Sequence, residues 1–155
     1  MFWGCFNDNK KGPDLFWEKE WGTVKEESYR DQIVPIIDGW IRLNTINGQS
    51  LTFMQDSAPA HAARGTIQDL RERGVICIQW PSFSPDLNLI EMVWNWMKDW
   101  IQNRYDDTLN GYEALRRAIQ EAWEAVPEAY LQELLELMPA RCQAVIEAEG
   151  RHTQY

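Results

Sequence analysis

Histidine and cysteine are scarce in this 155-residue chain: two of the former, three of the latter, with Cys5, Cys77 and Cys142 far apart in apolar surroundings. No CxxC pair and no Cys/His cluster occurs, which argues against a structural zinc site, and the odd count argues against a disulfide framework. Buried thiols in a reducing compartment are expected instead. No run of ~18 apolar residues and no charged-then-apolar leader is present, so neither membrane spanning nor secretion is expected. Basic residues are also short. Fifteen Lys and Arg face 24 Asp and Glu, for a net charge of −9 that falls most heavily on residues 104–155. This is the wrong sign for an autonomous nucleic-acid binder, because neutralising phosphates with Lys and Arg drives such binding. Internal repeats and low-complexity segments are missing as well.

What is present suits an ordinary folded domain. Apolar residues make up 45% and charged residues 25%, and a chain of this length can bury a core as a single domain. Nine tryptophans are unusual. Large aromatics that fill a core, each with one polar edge, are the favoured explanation; rings exposed for base stacking on single-stranded nucleic acid are the alternative.

Residues 1–6 and 14–18 are expected to pair as a hairpin, with Lys10-Lys11 and Gly12-Pro13 at its tip. Residues 26–44 have helical period, with Ser28 as N-cap and Ile33, Ile37, Trp40 and Ile41 as the apolar stripe. Pro35 lies inside this segment and should kink the helix or shift its start. Beyond residue 102 the pattern is helical throughout. Thr108 is expected to cap a helix carrying Leu109, Tyr112, Leu115, Ile119, Trp123 and Val126. Pro127 opens the next, with Tyr130, Leu131, Leu134, Leu135 and Met138. Pro139 starts a last helix through residue 147, which Gly150 ends. The parts are thus a hairpin over 1–18, a core over 26–103 and a helical part over 107–149.

The stretch 53–94 organises the rest. Residues 51–55 and 75–79 are short apolar runs of strand character, and residues 60–73 between them are helical, with Ile67 and Leu70 on one side. Pro81 and Pro85 impose a loop over 80–86, and residues 88–102 return to helix. Two strands joined through a helix favour a parallel pair with a right-handed crossover, whose carboxyl ends face a crevice. Asp56 stands at that edge, and Glu91 lies in the first turn of the later helix.

Two acids near one another repel unless a divalent cation lies between them, and Mg²⁺ suits a few carboxylates plus water. Each residue also has a plainer explanation. Asp56 before Ala-Pro can be a turn residue, and Glu91 can be a first-turn acid favoured by the helix dipole. His61 can touch a phosphate, orient a metal-bound water or cap the next helix. Lys98, two turns beyond Glu91, can contact phosphate or sit solvated. Asp86 is better placed as a loop-to-helix cap than as a further ligand.

QDSAPAHAA (residues 55–63) followed by WPSFSPDLNLIEMVW (residues 80–94) closely resembles the catalytic domain of mariner-type DDE transposases of the Tc/mariner superfamily. In it, Asp56 corresponds to the second acid and Glu91 to the third, with 34 residues between them, the spacing of the branch that ends in Glu. The MFWGCF start looks like the family's second strand, and MPARCQAVI (residues 138–146) looks like its C-terminal helix. Ser57 replaces the usual Asn, and Leu89 the usual Pro.

The resemblance implies an α/β fold, a ribonuclease H-like mixed sheet flanked by helices with extra C-terminal helices. It also implies Mg²⁺ (or Mn²⁺) held by Asp56 and Glu91, beside which His61 and Lys98 stand as the candidates for phosphate contact. The implied function is metal-dependent cleavage and transfer of DNA strands at transposon ends, in the nucleus and as a homodimer. The family's first acid lies on a central strand before the WGCF strand, and no Asp here matches it; Asp8 and Asp14 fall at the hairpin tip. The chain is therefore expected to be N-terminally truncated relative to that pattern, to lack the family's helix-turn-helix modules, to bind DNA weakly and to cleave it poorly alone. A catalytically dead, transposase-derived module that binds DNA or protein is the alternative, and a generic nuclease of the same fold is weaker still.

Overall fold

The structure, a computed structural model, describes every residue except Phe83, 106–108, His152, Gln154 and Tyr155. The cap expected at Thr108 and one residue of the 80–86 loop lie outside the described residues.

Strand β1 (Phe2–Asn7) pairs with β2 (Lys10–Phe16) around Asp8 and Asn9. The turn is thus earlier than expected, and Lys10 through Pro13 are strand. Asp8 takes φ 51°, a left-handed conformation that short Asp and Asn side chains tolerate in two-residue hairpin loops. Pro13 is accommodated because, among the described residues, β2 has a sheet neighbour on one side only. The chain divides into two compact units, one comprising Met1 and residues 13–84, the other residues 2–12 and 85–155.

In the first unit, the segment expected as one helix is two: α1 (Glu26–Gln32) and α2 (Val34–Ile46), broken at Ile33. Pro35 is the cause. It lacks an N–H and fits only a first turn. Lys25, not Ser28, is the N-cap of α1; the Ser28 hydroxyl accepts the Lys25 backbone N–H at 3.0 Å from inside the helix. Tyr29, Ile33, Val34 and Ile37 are buried, while Trp40 and Ile41 are half-buried.

The next helix is also divided, into α3 (Pro59–Ala62) and α4 (Arg64–Glu72), with Ala63 extended at ψ 139°. The Thr66 hydroxyl, fully buried, donates to the Ala60 carbonyl at 2.7 Å and ties the two pieces together. Leu70 faces inward as expected, but Ile67 is 46% exposed. On the surface, Asp69 accepts from Arg73 Nε at 2.8 Å and Arg30 Nε at 3.3 Å. The Arg73 hydrogen bond is the main reason its carboxyl titrates below the usual carboxylate range.

The runs at 51–55 and 75–79 meet in the parallel sense, but at a single bridge, Phe53 to Cys77. Phe53 donates to the Ile76 carbonyl at 2.8 Å, and Ile78 donates to the Phe53 carbonyl at 2.9 Å. The expected mixed sheet is therefore reduced, among the described residues, to this bridge and the β1–β2 pair. Parallel ladders are stable when covered on both faces. Here Val75 is buried, whereas Ile76 and Ile78 are exposed.

The second unit holds α5 (Leu89–Tyr105), α6 (Tyr112–Ala125), α7 (Glu128–Glu136) and α8 (Met138–Glu147). Leu89, Val93 and Met97 from α5 pack with Ala122, Trp123, Val126, Leu131 and Leu134, each large side chain contributing about 1.5–3 kcal/mol by burial. The α6 stripe is rotated from expectation. Ala118, Ala122 and Trp123 are buried, whereas Tyr112 and Leu115 are exposed. Small residues at 118 and 122 let α6 approach its neighbour closely, and that outweighs the larger side chains at its first turn. Pro127 is the N-cap of α7 rather than a residue within it. Gly4 of β1 lies under the indoles of Trp94 and Trp123, where a Cβ would stand 3.2–3.3 Å from their edges. All nine tryptophans are buried or half-buried, so the core explanation is the one the structure supports.

Candidate active site

Asp56 lies in the first unit and Glu91 in the second. Asp56 ends the short extended segment that carries the Phe53 bridge and precedes Pro59, whose fixed φ starts α3. The Asp56 carboxylate is 45% exposed, and both explanations of it have a physical counterpart. Its Oδ1 accepts the Ala58 N–H at 3.0 Å, closing an Asx turn, and meets His61 Nδ1 at 2.6 Å. Its Oδ2 has no protein partner among the described residues.

His61 does not cap α4, whose N-cap Ala63 has no side-chain cap bond. Its ring packs on that of Tyr29, with centroids 4.5 Å apart. The buried Tyr29 hydroxyl donates to Gln55 Oε1 at 2.9 Å, and Gln55 Nε2 donates to the His61 carbonyl at 3.3 Å. Neither Tyr29 nor Gln55 stood out as a site residue in the sequence. Gln55 could have, since it opens the QDSAPAHAA segment; Tyr29 lies too far away in the chain for any local pattern to link it to Asp56.

Glu91 occupies the first turn of α5 and is exposed, its N–H donating to the Asn88 carbonyl at 3.1 Å. The turn before it is a 3-10 helix, Pro85–Leu87, held by the C-terminal part of the chain. Arg141 of α8, 3% exposed, donates from Nη1 to the Asp86 carbonyl at 2.7 Å. Thr153 donates to Asp86 Oδ2 from its backbone N–H at 3.1 Å and its hydroxyl at 2.8 Å. Asp86 thus anchors a distant segment. Lys98 reaches Asn95 Oδ1 at 3.4 Å and is exposed. Among the described residues, no group of three or more His, Cys, Asp or Glu side chains is arranged to hold a metal ion. Each turn by itself presents an exposed hard-oxygen donor, and among the described residues neither carboxylate is paired with a Lys or Arg.

A short hairpin, a parallel bridge joined through helices, and helices completing the C-terminal half define a helix-rich, reduced α/β fold of the ribonuclease H-like type. Residues 9–111 match the DDE superfamily endonucleases, and the chain belongs to that family as a mariner-type DDE transposase catalytic domain. It is 36% identical to the transposable element Tcb1 transposase of Caenorhabditis briggsae over all 155 residues, covering 54% of that protein. The chain spans about half the length of the curated relatives it matches. Its fold is that of the Mos1 transposase catalytic domain solved with raltegravir and Mg, at TM-score 0.81, 15% identity, and 99% of this chain against 77% of that one. The Mos1 mariner paired end complex with Mn matches at TM-score 0.81 and 16% identity, over 99% of this chain and 44% of that one.

Proposed function

We propose that this chain contributes Asp56 and Glu91 as the second and third acids of a site for metal-dependent cleavage and transfer of DNA strands at transposon ends. The observation that carries this is the state of Asp56. In a family-matching segment, one carboxylate oxygen meets both the Ala58 N–H and His61 Nδ1, while the other has no protein partner among the described residues, on a side chain that is 45% exposed. Mg²⁺ or Mn²⁺ is the cation this donor set fits, because both accept isolated carboxylate oxygens and retain water for a phosphate. The relatives solved with Mg and Mn support the same choice.

When bound, the cation supplies Lewis acidity at the phosphate and a more acidic water or hydroxyl. This chain's own part is to hold hard oxygen donors in place. Asp56 does so from a locked turn, and Glu91 does so from a first helical turn fixed by Arg141 through Asp86. His61 and Lys98 remain candidates for phosphate contact through His61 Nε2 and the Lys98 ammonium. DNA at transposon ends, a second copy of the protein and a nuclear location complete the proposal. With a net charge of −9, the 155-residue chain should bind DNA weakly.

Titrating the chain with Mn²⁺ while following free Mn²⁺ by electron paramagnetic resonance tests the metal reading. Asp56→Ala and Glu91→Gln should each weaken binding at least tenfold. Unchanged binding in both variants would leave the binding-module alternative standing instead.

A further inference from the structure

We infer that His61 is a positioning residue, anchored by Tyr29 and Gln55, that turns Asp56 into a one-oxygen ligand selective for small divalent cations. This rests on the proposed metal role of Asp56 and adds to it the means by which the carboxylate is presented.

An ionised carboxylate has no proton to donate, so the 2.6 Å contact requires His61 Nδ1 to carry the hydrogen. That fixes the ring tautomer and leaves Nε2 facing away from Asp56. A single hydrogen bond would let the ring swing on its two side-chain torsions. Tyr29 limits that freedom through its ring, and through its hydroxyl it steadies the backbone that carries the imidazole. Its ring lies against the imidazole at 4.5 Å between centroids, and its hydroxyl holds Gln55, whose amide in turn holds the His61 carbonyl. Tyr29 is 2% exposed, so the anchor belongs to the packed interior and not to the mobile surface.

The consequence falls on Asp56. With Ala58 N–H and His61 Nδ1–H both on Oδ1, rotating the carboxylate to offer both oxygens would break two hydrogen bonds. Only Oδ2 is available at no such cost. Mg²⁺ and Mn²⁺ take carboxylates through single oxygens in near-octahedral sites, whereas Ca²⁺ readily takes both oxygens of one carboxylate at longer distance. Groups that orient a ligating carboxylate typically alter metal affinity by 10–100-fold on removal.

The test uses the 155-residue chain with two readouts. The first needs no metal: long-range ¹H–¹⁵N correlation of the imidazole should show the Nδ1–H tautomer for His61, absent from an Asp56→Ala variant. An Nε2–H tautomer in the unaltered chain overturns the proposal. The second is Mn²⁺ affinity measured beside Ca²⁺ affinity. His61→Leu should lose about 10–100-fold for Mn²⁺ and less for Ca²⁺. His61→Asn, whose amide N–H can occupy the Nδ1 position, should recover most of that loss. Tyr29→Phe, which removes only the hydroxyl, should weaken Mn²⁺ binding several-fold while the chain stays folded by circular dichroism. If Asp56→Ala abolishes binding but His61→Leu and Tyr29→Phe leave it unchanged, the positioning role is refuted and the metal reading survives. If Asp56→Ala binds Mn²⁺ as the unaltered chain does, the metal reading itself fails, and the role inferred for His61 falls with it.

Discussion

The Lys11 ammonium lies 2.5 Å from the carbonyl oxygen of Glu124 and 3.0 Å from that of Val126. A strand residue of the hairpin thereby closes the carboxyl end of α6, where helical carbonyls lack partners and the dipole favours a cation. Replacing Lys11 with Met keeps the aliphatic stem and removes the charge. The expected cost is about 1 kcal/mol, read as a lower urea midpoint with unchanged slope.

Gly4 is the second point of close approach. A Cβ there meets the indole edges of Trp94 and Trp123 at 3.2–3.3 Å, and these rings also pack edge-on or tilted against Phe2 and each other. Rigid rings give way poorly, so Gly4→Ala should destabilise by about 1 kcal/mol and Gly4→Val by up to about 3 kcal/mol. Thermal melts followed by tryptophan fluorescence would report both the loss and the disturbed ring environment.

Arg141 donates a charged hydrogen bond to the carbonyl of Asp86 from a buried position. Arg141→Met should therefore cost about 1.5–3 kcal/mol and loosen the 3-10 turn that leads into Glu91. Faster amide hydrogen exchange at Asn88 and Glu91, whose N–H groups bond to Pro85 and Asn88, would register the second effect. An Arg141→Met variant with unaltered exchange there would show that the clamp does not reach the site.

The Asp69 carboxyl is held below its ordinary range, chiefly by the Arg73 hydrogen bond and further by Arg30. Its folded pKa is thus lower than its unfolded one. The stability it contributes is complete above the unfolded value of about 3.9 and disappears as pH falls through the folded value. Acid unfolding should begin at lower stability loss in Asp69→Asn than in the unaltered chain when each is compared with its own neutral-pH value. Urea midpoints measured from pH 7 down to pH 3 would display the difference.

The local structure around each candidate acid was legible because it is set by sequence neighbours. Asp56, Pro59 and His61 share one turn, and Glu91 follows a proline-bounded loop whose composition announces a helix start. What could not be seen was whatever couples distant segments. Tyr29 is 26 residues from Gln55 and sits in the first helix without interrupting its pattern, so nothing marked it as the support of His61. Arg141 was visible only as part of a resemblance, and its partner Asp86 was expected to cap locally. The misjudged elements share another cause. A single residue, Pro35 or Ala63, divides a helix whose periodicity runs on past the break. The apolar runs at 51–55 and 75–79 have strand composition, but ladder length depends on cover and partners that composition does not specify.

Among the described residues, Phe53–Cys77 is the one bridge between the two apolar runs, and Ile76 and Ile78 beside it are 64% and 47% exposed. Such a rim invites edge-to-edge association, and it sets the practical terms on which this chain can be handled. Concentrated stocks should cloud on standing, faster when warmed, and a lysine at position 76 should keep them clear for longer without touching either acid.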